Sequence, residues 1–318
     1  MSKLKDSKIL VIGGAGFIGS YIVEELLKEN PKEIVIYDNF IRGTLGNIEE
    51  SLKDSRVSVF DIGGDIRDTD ILDAAVEGKD YVIHLAALWI RHCHDFPRSA
   101  LHTNIDGTFN VLEACAKHNV KKLVYSSSAS VYGDAVCEPM TEDHPYNNTT
   151  FYGATKIAGE HMCRSFYNRY NLNYIGLRYM NVYGPRQDYK GVYIDVIMRT
   201  LDNLNNGKPP VIFGDGTQSY DFIYVRDIAK ANIAALKSDK TDECYNVGTG
   251  IKTSINELLD IILKLSNSKL IPEHVDAGVT FVTNRVGSTV KIEKDLGFKH
   301  SVNLKEGLEN LIVWKNNI

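Results

Sequence analysis

Apolar residues in the first half of this chain fall into short unbroken blocks. Between the blocks they recur every three to four positions. Residues 8–12 read Lys-Ile-Leu-Val-Ile, too uniformly apolar to keep one face in water. Similar blocks follow at 33–37, 57–60, 80–85, 122–126 and 173–178, and each predicts a buried strand. The stretches 18–29, 69–76, 104–118 and 152–170 predict helices. In the first of these, Ile22-Val23 and Leu26-Leu27 share a face. Strands alternating with helices imply a parallel sheet covered on both sides.

After Asn181 the rhythm changes. Gly184-Pro185, Gly207-Lys208-Pro209-Pro210 and Gly214-Asp215-Gly216 punctuate shorter segments. Helices are expected at 193–205, 227–236 and 255–265. The fold expected is α/β: a Rossmann-type doubly wound parallel sheet with a smaller C-terminal α/β lobe. The larger domain spans 1–180 and regains a return segment near 222–250. The lobe takes 181–221 and 251–318.

A length of 318 residues suits such a two-part unit, and 43% hydrophobic content supplies a core. The net charge of −5 offers no basic field for nucleic acid. No apolar run reaches transmembrane length, and the first residues lack the apolar region of a secretion signal. A cytoplasmic location is the expectation. Five scattered cysteines with no C-x-x-C pair argue against a disulfide framework or structural zinc. His92-Cys93-His94-Asp95 lacks metal-site spacing and reads as a polar loop after a strand, so no metal is expected.

The first strand runs into Gly13-Gly14-Ala15-Gly16-Phe17-Ile18-Gly19, a G-x-x-G-x-x-G turn opening a helix. Glycines there let backbone approach a pyrophosphate, and the helix N-terminus adds free N–H groups and positive dipole charge. Asp38 ends the second strand, where an acid can hold the adenosine ribose and repel a 2′-phosphate. NAD is therefore expected rather than NADP. Arg42 nearby weakens that preference slightly, or is a solvated loop charge. Asp65 and Ile66 follow the third strand, placed for the adenine amino group and ring. A helix cap or surface turn would look the same.

Tyr152 and Lys156 stand four apart on a predicted helix and share a face. A nearby ammonium and a cationic nicotinamide favour the phenolate, which can take an alcohol proton as the carbon gives up hydride. Upstream, Ser126-Ser127-Ser128-Ala129-Ser130 ends the fifth strand, and such strand ends face the ligand crevice. A serine there can relay that proton. Alone, an exposed helical pair and a Ser-rich cap would be the plainer readings.

Together these motifs resemble the extended short-chain dehydrogenase/reductase superfamily, within it the NAD-dependent epimerase/dehydratase family and its UDP-glucose 4-epimerase-like branch. Further segments carrying the resemblance are Asp38-Asn39, His84-Leu85-Ala86-Ala87, Asn104-Ile105-Asp106-Gly107-Thr108, Leu177 through Arg186, and Phe213 through Gly216. The match covers about the first 230 residues. It implies that Ser128, Tyr152 and Lys156 are catalytic. It implies a cofactor wall of Leu85, Ala86, Ala87, Asn104, Ser126 and Tyr179, beside the glycine turn and Asn39. It also implies substrate contacts at Ser128, Tyr152 and Asn181. The implied partner is a nucleotide-diphosphate sugar. It would be oxidised at C4 by tightly held NAD⁺, turned over as the 4-keto sugar, and reduced on its other face. A homodimer is implied too, pairing the two long helices, with Ile157, Phe166 and Tyr167 as contacts unless core packing claims them.

Two departures matter. Members commonly carry Arg in an R-D-[FY] segment that pairs with the diphosphate, and here Tyr220 precedes Asp221-Phe222. A tyrosine brings no charge and no fork. The second expected arginine is Arg285, as a diphosphate ligand or a surface ion-pair residue. Dehydratases and decarboxylases place an acid before the Val-Tyr that here is Val131-Tyr132, where this chain has Ser130. That favours epimerisation over elimination. Glu138 and Glu142 read as surface loop acids. The alternatives are a nucleotide-sugar 4,6-dehydratase, a net dehydrogenase/reductase, or a non-catalytic NAD sensor on the same fold.

Overall fold

The computed structural model describes residues 3–187, 195–276 and 283–317. Its centre is a seven-stranded sheet made of β1 (Lys8–Ile12), β2 (Glu33–Tyr37), β3 (Val57–Val59), β4 (Tyr81–His84), β5 (Lys122–Ser128), β6 (Tyr174–Tyr179) and β7 (Glu243–Val247). The order is β7-β6-β5-β4-β1-β2-β3, and every neighbouring pair is parallel. The expected α/β doubly wound sheet is the one observed.

Alternation explains the unbroken apolar blocks. Ile9 and Val11 of β1 lie in one core cluster with Ile34, Ile36 and Ile83, covered by the helices Phe17–Leu27 and Val225–Lys237. Leu10 and Ile12 point the other way, with Val35, Tyr37 and Val82, under Thr69–Val76, Gly107–Lys117 and Phe151–Tyr170. Neither face can be polar, so the period-2 signal of a half-buried strand is absent.

A third core belongs to the C-terminal lobe. It joins Ile197, Met198 and Leu201 of helix Val196–Asn205, Leu258, Leu259 and Ile262 of helix Ile255–Leu265, and Leu308 and Leu311 of helix Leu304–Lys315. Short strand pairs connect these helices. Ser219–Tyr220 pairs with both Thr253–Ser254 and Asn284–Arg285.

Some expected bounds move. The first residues of the helix expected at 193–205 lie outside the described residues. β5 runs two residues past its expected end and so carries Ser128 on its last position. The helix expected at 104–118 is a π-helix over Leu101–Asp106 followed by α-helix from Gly107. The polar loop expected at 92–95 is helical, Ile90–Asp95, because Cys93 turns into the core and donates to the Leu88 carbonyl. Among the described residues no helix is long and apolar enough to cross a membrane.

Candidate active site

The C-terminal ends of the sheet strands open into a cleft of about 950 Å³. Gly13, Gly16, Phe17, Ile18 and Gly19 line it after β1, Asp38 and Asn39 after β2, and Asp65 and Ile66 after β3. Leu85, Ala86 and Ala87 line it after β4. Ser126 of β5, Tyr152 and Lys156 of the helix Phe151–Tyr170, and Tyr179 of β6 complete the sheet wall. Parallel strands put all their C-termini on one side, which is why residues so distant in sequence converge.

The glycine turn leaves no room for side chains. Gly13 has a φ of +83°, and a Cβ there would sit 2.9 Å from the Ala86 nitrogen. A Cβ on Gly19 would sit 2.2 Å from the Gly13 oxygen. Helix Phe17–Leu27 starts at Gly16 with no side-chain cap, so its first N–H groups and dipole charge face the cleft. The Asp38 carboxylate accepts from the nitrogens of Ala15 and Phe40 at 2.9 Å each, which braces the turn. Burial raises its pKa, against those backbone donors. This cradle suits a dinucleotide diphosphate with a ribose beside Asp38.

Two expected cofactor residues do something else as well. The Asp65 carboxylate is forked by Arg67 Nε and NH2, and that pairing lowers its pKa. Asn104 is buried behind the wall rather than on it. Its side chain accepts from Leu88 N at 2.7 Å and donates to Leu88 O at 3.1 Å and Thr155 Oγ1 at 3.2 Å. It therefore shapes the cleft by tying the β4 loop to the Tyr152 helix.

The catalytic candidates do come together. Thr150 caps the Tyr152 helix through Gly153 N, and Ser128 hydrogen-bonds Tyr152 from the end of β5. Lys156 Nζ donates to the Ser126 carbonyl at 2.7 Å and lies 5.6 Å from the Tyr152 ring centre. Burial pulls Lys156 down to about 8. Burial also pushes Tyr152 up to about 12, against the Ser128 hydrogen bond and the charges of Arg285 and Arg42. The sequence argument expected Lys156 to favour the phenolate. In the protein alone burial wins, because the ammonium is spent on a carbonyl and lies over the ring, not at the hydroxyl.

A buried ion pair fixes the spacing of strand and helix. Arg178 of β6 forks Glu160 with Nε at 2.9 Å and NH2 at 2.8 Å, and Ser127 donates to the same carboxylate. Glu160 lies one helical turn beyond Lys156, so the pair ties the serine strand, the Tyr–Lys helix and β6 together. The Tyr179 hydroxyl lies 3.0 Å from Ser126 Oγ and bonds Asn232, which anchors its ring at the cleft floor.

The expected substrate residues are more dispersed. Val182, not Asn181, lines the cleft. Tyr220 and Arg285 are strand partners. Arg285 Nε is buried without a hydrogen-bond partner among the described residues. Burial pulls the guanidinium down to about 10, against the neighbouring Tyr220, Asp134 and Tyr152. Arg285 is thus a half-buried cation, with its Nε buried, within electrostatic reach of Tyr152 rather than a surface ion-pair residue. Sequence reasoning missed Trp89, His92, Asp195 and Trp314, which all line the cleft. Both tryptophans of the chain are there. Trp89, just past β4, was findable as a bulky ring at a strand end; Trp314, near the C-terminus, left no local signal.

A model of the NAD dependent epimerase/dehydratase family matches residues 9–248. The chain belongs to that family. It is an NAD-dependent nucleotide-sugar epimerase by family, and NAD is its cofactor. A Methanocaldococcus jannaschii protein provisionally named UDP-glucose 4-epimerase is 39% identical, covering 97% of this chain and 98% of its own. The solved UDP-N-acetylglucosamine 4-epimerase of Methanobrevibacter ruminantium, in complex with UDP-N-acetylmuramic acid, superposes with a TM-score of 0.93 at 35% identity. That match covers 98% of this chain and 99% of the other. UDP-glucuronic acid 4-epimerase of Bacillus cereus, solved with UDP-glucuronic acid and NAD, gives 0.89 at 32% identity, covering 98% and 99%. The family's cofactor fits this cleft on two structural grounds: a tight turn in which a Cβ at Gly13 or Gly19 would collide with backbone, and an uncapped helix start beside the cleft.

Proposed function

We propose that this family member interconverts the C4 epimers of a UDP-linked sugar. The observation that carries the reading is the placement of Tyr152 and Lys156 on the cleft wall with Ser128 beside Tyr152, and with Arg285 within electrostatic reach of Tyr152. The UDP assignment is supported by the substrates named for the relatives.

Tyr152 takes the C4 hydroxyl proton and Ser128 bridges the two oxygens. A phenol at about 12 is a poor base at neutral pH. NAD held against Gly13, Gly16 and Asp38 would supply the hydride chemistry and further positive charge near Tyr152. Tyr152 then gives the proton back, so the cycle closes with no net redox change. Arg285 and Tyr220 are assigned to the sugar-nucleotide diphosphate, the half-buried guanidinium supplying the charge that Tyr220 lacks. Gly13, Gly16, Asp38, Asp65 and their neighbours on the sheet wall are assigned to NAD, and the lobe around Arg285 and Trp314 to the substrate. Ser130, a hydroxyl where eliminating relatives carry an acid, supports epimerisation over 4,6-dehydration.

A homodimer through the long helices is part of this reading. Phe109 and Tyr170 are exposed and flank the nearly buried Phe166, with ring centres 5.4 and 5.3 Å from it. Tyr167 lies half-buried beside them. Ile157 packs instead against the main core.

The test is incubation of the purified protein with a panel of nucleotide sugars, followed by NMR and mass spectrometry, beside Tyr152→Phe. A C4 epimer of unchanged mass is expected from the parent protein only. A product lighter by one water would replace this reading with dehydration.

A further inference from the structure

In the sheet, β1 lies between β4 and β2. The loop after β2 carries Arg42, and the loop after β4 carries Trp89. The Arg42 guanidinium carbon sits 4.2 Å from the Trp89 ring centre. A contact between those two loops must pass over the end of β1, and that end is the glycine turn. Both residues line the cleft beneath it.

We propose that Arg42 and Trp89 form a latch over the cofactor, with Arg42 as the arginine that faces the diphosphate of the dinucleotide. The inference rests on the family's cofactor, not on the choice of sugar.

Each half of the latch has a firm base. Past Arg42, Thr44 N and Asn47 Nδ2 both donate to the Ala15 carbonyl in the glycine turn, at 3.2 and 2.9 Å. Before Trp89, Leu88 is clamped by Asn104. Behind Trp89, the tilted rings of His92 and Phe96 follow in series, with successive ring centres 5.0 and 5.1 Å apart. The tryptophan is thus propped as a fixed platform. Stacking suits arginine, whose weakly hydrated plane lies flat on a ring while its N–H bonds radiate from the rim. A rim set above a helix N-terminus that already attracts anions is a second donor set for the same diphosphate. Phe40, two residues before Arg42, holds a φ of +56°, a conformation that bulky residues rarely adopt. The arm therefore leaves β2 through a strained residue and is steered over the turn.

A latch of this kind slows cofactor release. That suits a reaction in which one dinucleotide must accept a hydride and return it to the same sugar. Arg42 also places its charge within reach of Tyr152, so closing the latch adds positive charge beside the phenol.

The experiment loads the full protein with radiolabelled NAD, chases with excess unlabelled NAD and follows label retained on a filter. Binding of UDP is measured in parallel by calorimetry. Arg42→Ala and Trp89→Leu should each speed label release about tenfold or more. Trp89→Phe, which keeps a platform, should stay within about threefold of the parent. UDP affinity should not change. Arg42→Lys guards against a folding defect in the alanine variant: it keeps the charge, loses the stacked fork, and should release at an intermediate rate. Melting temperatures close to the parent's certify the comparison. Label release at the parent rate from folded Arg42→Ala or Arg42→Lys overturns the proposal. So does weakened UDP binding with NAD release unchanged, since Arg42 would then serve the substrate.

Discussion

The two walls of the cleft are built by different means. On the sheet wall most contributing residues lie in the turns that follow the strand ends, or on the helix that carries Tyr152 and Lys156. On the lobe side the lining residues come from segments far apart in the chain, Val182, Arg186, Asp195 and Trp314 among them. The sheet wall is fixed by parallel topology and a buried Glu160–Arg178 pair. The lobe is held together in part by strand pairings two residues long. On the proposed reading, chemistry and cofactor fall to the rigid wall, and substrate choice to the wall that loops can reshape.

The largest predicted effect breaks the sheet wall at its reacting group. Tyr152→Phe should lower kcat by about 10³-fold, in the range for a positioned acid–base group, with NAD content unchanged. Steady-state rates beside absorbance of released nucleotide check this; a loss under tenfold would remove Tyr152 from the proton path. On the lobe wall, Arg285→Gln should raise KM by roughly a hundredfold and leave kcat within about threefold, as expected for a half-buried charge that holds substrate. An equal fall in kcat would erase the division between the walls.

pH separates the walls without mutation. Lys156 is held down to about 8, so its ammonium is present below that pH and lost above it. Arg285, at about 10, keeps its charge through the same interval. Turnover should therefore fall above about pH 8 while KM stays flat until near pH 10. Separate kcat and KM profiles between pH 6 and 10.5 test it (about one half-unit per point suffices). A KM that rises together with the fall in kcat near pH 8 would merge the two walls. The smallest effect is expected at Trp314→Leu, a KM increase of roughly threefold with NAD retention unchanged, read by the same kinetics and a nucleotide assay.

How much of this was legible in the sequence follows the same division. The strands, their parallel sense and the glycine turn were readable because each is local: an apolar block, a turn, a helix pattern. Tyr152 and Lys156 were readable as a pair because helical spacing puts them on one face, whereas the choice of Ser128 among the strand-end serines came from the resemblance to the family. Asn104 was found but set on the wrong surface, since burial behind Leu88 is a tertiary fact. That burial raises Tyr152 in the protein alone was not readable, because sequence shows that Lys156 is near, not that its ammonium bonds the Ser126 carbonyl. Trp314 and the depth of Arg285 were invisible, since nothing local in the last helix or in the short strand at 284–285 says which surface it meets.

One measurement tests the central claim most directly. UDP-sugar carrying deuterium at C4 is converted by the purified protein in ordinary water, and the product is read by NMR. If the hydride leaves and returns within one closed site, the epimer keeps its deuterium at C4. Deuterium lost to solvent, or moved to C6 with loss of water, would contradict the account.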